Sequence, residues 1–389
     1  MDSFTNHYYK LNRLLFLIIG QWPYQDYRMK FGLMIIIFLY FGLALLGQIF
    51  KLIRAGHDLD LIFEILITLL SNVICITRYC NCIVNVNKFR KLLENIKDVW
   101  NATKMKEEIE IIKIYAEEGR NYTLFLTVFS YFSLGFVDLI SLMPCILDVV
   151  LPLNDTRTRK FSYQAEFFLD VEIYFYPILL HTWITMFFGV TILITTESIF
   201  LMFAQHCCSM FKILCYRLEH IYDKNLENTN RDNAYYEAKY RVADCIKYHT
   251  KILEFITTVI SYHELSFFIQ FLIIVILTSI VFVQIKILLG KYEVLIYLAL
   301  IGSLVCHGYL CVYPGQKVLD HSNLLLEKAY NGFWYLAPTK AQKLLLIIIR
   351  RSINSTPLII MKLYVLSHYS FGLVFKTSMS YFTVLYSFR

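Results

Sequence analysis

Seven stretches of this 389-residue chain are each long and apolar enough to cross a lipid bilayer, and that repetition limits the fold more than any motif does. A spanning helix needs about 20 apolar residues, because hydrocarbon leaves every backbone N–H and C=O to be satisfied within the segment. Residues 31–53 carry no charge before Lys51, and 59–84 hold Glu64. The stretch 121–147 holds Asp138, and 171–207 holds Glu172 and Glu197. Residues 265–289, 292–313 and 364–388 complete the set, with "VYPGQK" read as punctuation after the sixth. Composition agrees: 17% of residues are charged, against about 25% in soluble domains. These features predict an all-α integral membrane protein with seven transmembrane helices. The net charge of +7 is scattered, which argues against a nucleic-acid partner. Ten cysteines lack framework spacing, and Cys80-x-Cys82 and Cys207-Cys208 lack partners at zinc distances, so neither a metal nor a cofactor is expected.

The start, "MDSFTNHYYKLNRLLFLIIGQWP", has too short an apolar run for a signal peptide and predicts a short amphipathic helix on the inner membrane face. Lys10, Arg13, Arg28 and Lys30 precede the first span while Lys51 and Arg54 follow it, which favours a cytosolic amino terminus. Seven spans then put the carboxyl terminus outside. Charge over the whole chain and the sequons, Asn154-Asp-Thr156 among them, leave the opposite orientation open. Phe211, Leu214, Leu218 and Ile221 continue the fourth span at 3-4-3 spacing, and Val242, Ile246, His249, Leu253, Ile256 and Ile260 lead into the fifth. Such seams predict a helical bundle protruding into the cytosol, the alternative being helices resting on lipid. "DKNLENTNRDN" between them reads as a polar linker.

In the last stretch Thr377, Ser380, Val384 and Ser387 share one helical face. Short hydroxyls can replace part of an ion's hydration shell, and a valine ring can gate by dewetting. Small polar residues also let helices pack closely, and the spacing alone leaves both readings open. Lys376 in the same stretch is costly in hydrocarbon. It is expected either to pair with Asp138 or to sit in a wet vestibule.

Several segments resemble the insect odorant receptor family: "GQWPYQ", "YFYPILLHTW", "LMFAQHCCSMFKILCYRLEHIYD", "GQKVLDHSNLLLEKAYNGFWY", "QKLLLIIIRRS" and the ending "FKTSMSYFTVLYSF". They come in order and touch nearly the whole chain. The resemblance implies a ligand-gated cation channel with a cytosolic amino terminus, assembled as a heterotetramer with an olfactory co-receptor. It places a cytosolic segment 1–30, spans one to four with an outer-leaflet ligand pocket at 31–202, and cytosolic helical extensions at 203–264. Spans five and six follow at 265–313. A cytosolic anchor with the first part of the seventh helix follows at 314–356, including a separate segment 338–352, and the pore-lining helix is 357–389. By position Val384 falls on the co-receptor's gate valine, and Ser387 falls where that protein carries a pore-narrowing glutamine. Thr377, Ser380, Val384, Ser387 and Phe388 are the implied pore residues.

Family members bind odorants among helices two, three, four and six. The matching candidates are Phe63, Ile67 and Leu70; Phe132, Gly135, Phe136 and Leu139; Tyr174, Pro177, His181, Thr185 and Phe188; and Tyr297 and Leu300. The implied partners are a small hydrophobic odorant or pheromone, the co-receptor, permeating cations and membrane lipid. The implied location is the plasma membrane of sensory-neuron dendrites. A gustatory-type channel acting as a homotetramer shares the fold and is the nearest alternative, although Ser380 and Ser387 stand where its tail has Thr and Gln. A G-protein-coupled receptor is less favoured, since neither "DRY" nor "NPxxY" occurs. An enzyme is not expected: "DHS" at 320–322 comes without a nucleophile motif.

Overall fold

The computed structural model describes residues 5–150, 161, 163–170, 173–221, 231–290, 294–332, 334–336 and 339–387. The Asn154 sequon, Glu172, residues 223–230 of the polar linker, Pro338 and Phe388 lie outside these.

Two short helices open the chain, α1 (Thr5–Tyr8) and α2 (Lys10–Ile18), followed by α3 (Tyr27–Arg54) and α4 (Leu59–Val84). Next come α5 (Val86–Ala102), α6 (Lys106–Val150), α7 (Phe175–Glu219), α8 (Arg231–Ile287) and α9 (Val294–Asn331). A 3-10 turn (Trp334–Leu336) leads to α10 (Thr339–Ser352), a hairpin of β1 (Ile359–Ile360) and β2 (Tyr364–Val365), and α11 (His368–Ser387). Six of these helices, α3, α4, α6, α7, α8 and α9, are long and apolar enough to cross a membrane. The seventh expected span is α11, with 20 residues interrupted by Lys376 and several hydroxyls.

The second span has the bounds the sequence suggested, because Asp58 caps it: its Oδ1 accepts from the N–H groups of Asp60 and Leu61, each at 3.1 Å. The seventh does not. It begins at His368 rather than at 364, since residues 359–365 turn back as a hairpin with Ile359 opposite Val365 and Ile360 opposite Tyr364. Three residues, Met361, Lys362 and Leu363, close it: Met361 and Lys362 adopt positive φ, 50° and 57°, and the Leu363 N–H donates back to the Ile360 carbonyl at 3.0 Å. Glu264 steadies that turn by accepting from the Met361 N–H at 3.2 Å. Pro314 does not end the sixth span either: α9 runs through it to Asn331. The expected boundaries at 202, 264 and 313 each fall inside a continuous helix, α7, α8 and α9.

α7 is the central rod, packed by α6, α9, α8, α4, α3 and α2. Every residue from Ile194 to Phe211 is buried, the polar Thr195, Thr196, Glu197, Ser198, Gln205, His206 and Ser209 included, so protein encloses this part of the helix on all sides. One end of the molecule is widened by α1, α2, α5 and α10. There α5 buries Phe89, Leu92, Ile96 and Val99 at 3-4-3 spacing, and α2 buries Leu15 and Phe16. The predicted amphipathic amino-terminal helix therefore forms, but protein rather than lipid fills its apolar face, with Phe16 stacked on Phe89 at 4.7 Å. The seam Phe211, Leu214, Leu218, Ile221 is fully buried. On α8 the buried stripe runs through Val242, Cys245, Ile252, Phe255, Ile256 and Val259, leaving Ile246, Leu253 and Ile260 half-buried. In water each such Phe or Leu stabilises the bundle by about 1.5–3 kcal/mol. Between apolar spans in lipid that drive is missing, and close packing and polar contacts take its place.

Candidate ligand and pore sites

Tyr297, Leu300, Phe63, Ile67 and Leu70 are brought together, from α9 and α4, around Ile273, Leu277 and Ile280 of α8. The cluster is apolar except where the Tyr297 hydroxyl approaches Glu64 Oε1 at 3.5 Å. Phe132, Gly135, Phe136 and Leu139 of α6 stand elsewhere: all four are exposed and outside this cluster. On α7, Tyr174 and Pro177 are exposed, Thr185 is buried, and Phe188 packs on the main core.

His181 has the most developed surroundings of the α7 group. Its ring stacks on Tyr40 at 5.3 Å and meets the edge of Phe167 at 6.1 Å. The Tyr163 hydroxyl lies 3.3 Å from His181 Nδ1. Burial pushes the Tyr163 phenol up to about 12, so it stays protonated and can donate. When the phenol donates to Nδ1, the imidazole proton sits on Nε2. Nε2 is buried with no hydrogen-bond partner within bonding geometry among the described residues, and the Tyr40 backbone interacts with the ring. A buried donor of this kind suits an acceptor oxygen on a small ligand. The segment 163–170 that brings Tyr163 here is pinned on α3, where the Glu166 N–H donates to the Gly47 carbonyl at 2.9 Å. A Cβ on Gly47 would come within 3.0 Å of the Glu166 carbonyl oxygen.

α11 packs on α8 and α9. Ser370, Val374 and Ser378 are its buried residues, Ser279 Oγ donates to the Ser378 carbonyl at 3.0 Å, and Phe382 meets Phe282 at 6.0 Å. Away from that seam Thr377 is half-buried, and Ser380, Val384 and Ser387 are exposed, Val384 at 47%. Thr377 and Ser387 spend their hydroxyl protons on the Leu373 and Val384 carbonyls, which leaves their oxygen lone pairs outward. Lys376 is also exposed and forms no ion pair among the described residues, while Asp138 keeps a buried Oδ1 without a partner. The expected Lys376–Asp138 pair is therefore not made. α11 packs along α8 and α9, and α6 is not among its substantial neighbours.

A polar cluster lies where α4, α7, α8 and α9 meet. Arg78 donates to Thr196 Oγ1 at 3.1 Å and to Gln270 Oε1, and its guanidinium covers the Phe267 ring at 4.8 Å. Gln270 Nε2 lies 2.7 Å from His307 Nε2, and His307 Nδ1 lies 2.7 Å from Glu197 Oε1. The Cys311 thiol donates to the same carboxylate at 3.7 Å. Donor atoms of Glu197, His307 and Cys311 lie within 4.8 Å of one another, close enough for a metal. The hydrogen bonds argue against one. An amide nitrogen can only donate, so His307 Nε2 accepts and its proton sits on Nδ1, the atom a metal would need. The sequence reading passed over this cluster. Its signal was visible: Arg78 and Glu197 each interrupt an apolar run, where an ionisable residue usually has a function.

Two comparisons bear on this arrangement. The model of the 7tm odorant receptor family matches residues 58–379. The chain belongs to that family. It is a family of receptors, not of enzymes, and with six helices long and apolar enough to cross a membrane the odorant receptor is a multi-pass membrane protein. No curated protein matches. Among solved structures, the insect olfactory receptor OR5 from Machilis hrabei in complex with eugenol aligns with a TM-score of 0.75 at 15% identity, covering 98% of this chain and 97% of that one. A second structure of the insect olfactory receptor OR5 from Machilis hrabei aligns with a TM-score of 0.72 at 15% identity and the same coverage. At that identity the likeness establishes a shared fold and leaves ligand and assembly to other arguments.

Proposed function

We propose that this odorant receptor is the odorant-sensing subunit of a ligand-gated, non-selective cation channel that conducts together with an olfactory co-receptor. The carrying observation is α11: in the single chain its Thr377, Ser380, Val384 and Ser387 side is only partly covered, while Val374 and Ser378 are packed away. Leu373, Lys376, Met379, Tyr381 and Tyr386 are exposed too, so most of the helix outside its packed seam is uncovered, and its hydroxyls and lysine at membrane depth need either further protein or water beside them. A shared aqueous conduit supplies both, with the valines as the dewetting constriction. Phe388 follows directly in the sequence and belongs to the same proposed set. In this reading the widened end is the cytosolic anchor through which subunits meet, the amino terminus is inside and the carboxyl terminus outside. The receptor then sits in the plasma membrane of sensory dendrites.

The ligand is a small hydrophobic molecule held in the outer half. Apolar burial in the Phe63, Ile67, Leu70, Tyr297, Leu300 cluster supplies affinity, at about 25 cal/mol per Å². His181, with Thr185 beside it, supplies a polar anchor; eugenol, the ligand of the similar Machilis receptor, combines an aromatic body with oxygen acceptors in just this way. Tyr174, Pro177 and Phe188, and the α6 residues Phe132, Gly135, Phe136 and Leu139, remain proposed contributors from the flanking helices. The test is whole-cell recording against a panel of volatile hydrophobes, with the chain expressed alone and with the co-receptor. Current only on co-expression supports the proposal. Current from the chain alone favours a gustatory-type homotetramer, and extracellular labelling of a tag at the amino terminus overturns the orientation.

A further inference from the structure

The polar cluster of α4, α7, α8 and α9 lies between the two sites just described. On α4, Arg78 stands one helical turn from Ile74, and on α8 Gln270 stands one turn from Ile273 and Ile274, residues of or beside the apolar ligand cluster. On α9, His307 follows Tyr297 and Leu300 along the same helix. In the other direction, Phe271, next to Gln270, packs at a tilt against the Tyr364 ring of the hairpin at 4.3 Å. Cys311 is one turn before Gly315, whose missing side chain admits Leu366, the residue after β2. His368 then opens α11, its N–H donating to Gln316 Oε1 at 3.1 Å.

Adjacency alone would not make this a coupling device, since a pathway needs an element with two discrete arrangements. The buried charges are the reason to infer one. Arg78 is 1% and Glu197 7% exposed, so neither can be left alone without a large desolvation cost. The chain Arg78, Gln270, His307, Glu197 is one relay of hydrogen bonds across the helices, and shifting one of them breaks it at a discrete point. Such a network is made or unmade, with little stable between. We propose that Arg78, Gln270, His307 and Glu197 are positioning residues that couple occupancy of the outer ligand cluster to the hairpin and pore helix. They touch neither odorant nor ion; they act by fixing α9 relative to α8, and so the base of α11. The inference rests on the channel reading given above.

The decisive variant is Arg78→Met combined with Glu197→Gln. It removes both buried charges together, keeps an acceptor for His307 Nδ1 and Cys311, and avoids the unpaired charge that either change removing one partner alone would leave. It is expressed with the co-receptor and probed with a panel of aliphatic alcohols, esters and aromatic ethers that includes eugenol. Surface amount is read by labelling, and ligand binding by thermal shift of the purified assembly. The expected result is wild-type surface amount and thermal shift, with the ratio of odorant-evoked to resting current lowered about tenfold, within the roughly 5–150-fold span of allosteric coupling. A wild-type current ratio overturns the proposal, as does a parallel loss of binding and current. If this variant does not reach the surface, Gln270→Met, which breaks the relay without touching a charge, carries the test on the same terms. Failure of both to reach the surface makes the network purely structural and also overturns it. An unmodified chain without odorant-evoked current would instead refute the channel reading.

Discussion

Gly315 shows how much one absent methyl group decides. A Cβ there would run into the Leu366 side chain and carbonyl, so Gly315→Ala must push the hairpin off α9. The expected cost is about 1–3 kcal/mol or more, the usual range for overpacking, seen as reduced surface expression and a lower thermal midpoint. A wild-type midpoint would show that the hairpin is not held where described. Lys362 is a contrasting case: exposed, non-glycine and at a φ of 57°. Lys362→Asn places a residue tolerant of that region there and should stabilise the chain by up to about 1 kcal/mol. No change or a loss in midpoint would contradict the turn assignment. At His181 the prediction concerns ligand chemistry. His181→Phe keeps an aromatic ring but removes the buried donor. It should raise the half-activating concentration of oxygen-bearing odorants about tenfold, the worth of one hydrogen bond, and leave hydrocarbon analogues nearly unchanged. Equal shifts for both classes would make His181 a packing residue.

Among the elements, the widened end is fastened by one arginine shared between helices. Arg217 of α7 holds Glu108 of α6 through Nε at 2.6 Å and Nη2 at 2.9 Å, and Asp244 of α8 through Nη1 at 3.1 Å. Glu108 is 2% exposed, so Glu108→Ala leaves a partly buried guanidinium with half its partners. The expected destabilisation is about 3 kcal/mol, measured as loss of assembled receptor in detergent. A change under a few tenths would mean that the pair is only a surface contact. No periodicity in the sequence announced this clamp, because its members are far apart in the chain. α4 was legible to the residue because its cap and its apolar limits are both local. The passage of α9 through Pro314 was not. It goes with Leu366 meeting Gly315 and the His368 N–H meeting Gln316 across the fold, whereas a proline followed by glycine reads locally as a stop. The α8 seam was legible as helical and slightly misplaced in phase, since the faces of α5 and α10 that bury it are not encoded in α8 itself.

The whole molecule divides its forces between two solvents, apolar burial at the widened end and packing with polar contacts along the spans. The sequence carried the all-helical class, the repeated spans and the family resemblance, because each is written in contiguous residues. It carried less of the candidate sites, which are made by distant residues: Tyr163 reaching His181, Glu64 reaching Tyr297, Arg78 relayed to Glu197. Assembly is one step further removed, and there the exposed side of α11 makes the strongest demand. The most direct measurement is modification of single cysteines placed at Thr377, Ser380, Val384 and Ser387, with Val374 and Ser378 as packed controls, in a Cys306→Ser background co-expressed with the co-receptor. A charged thiol reagent applied during odorant-evoked current should block conduction at the first four positions and spare the two controls. Modification of the controls with the four positions silent would contradict the conduit.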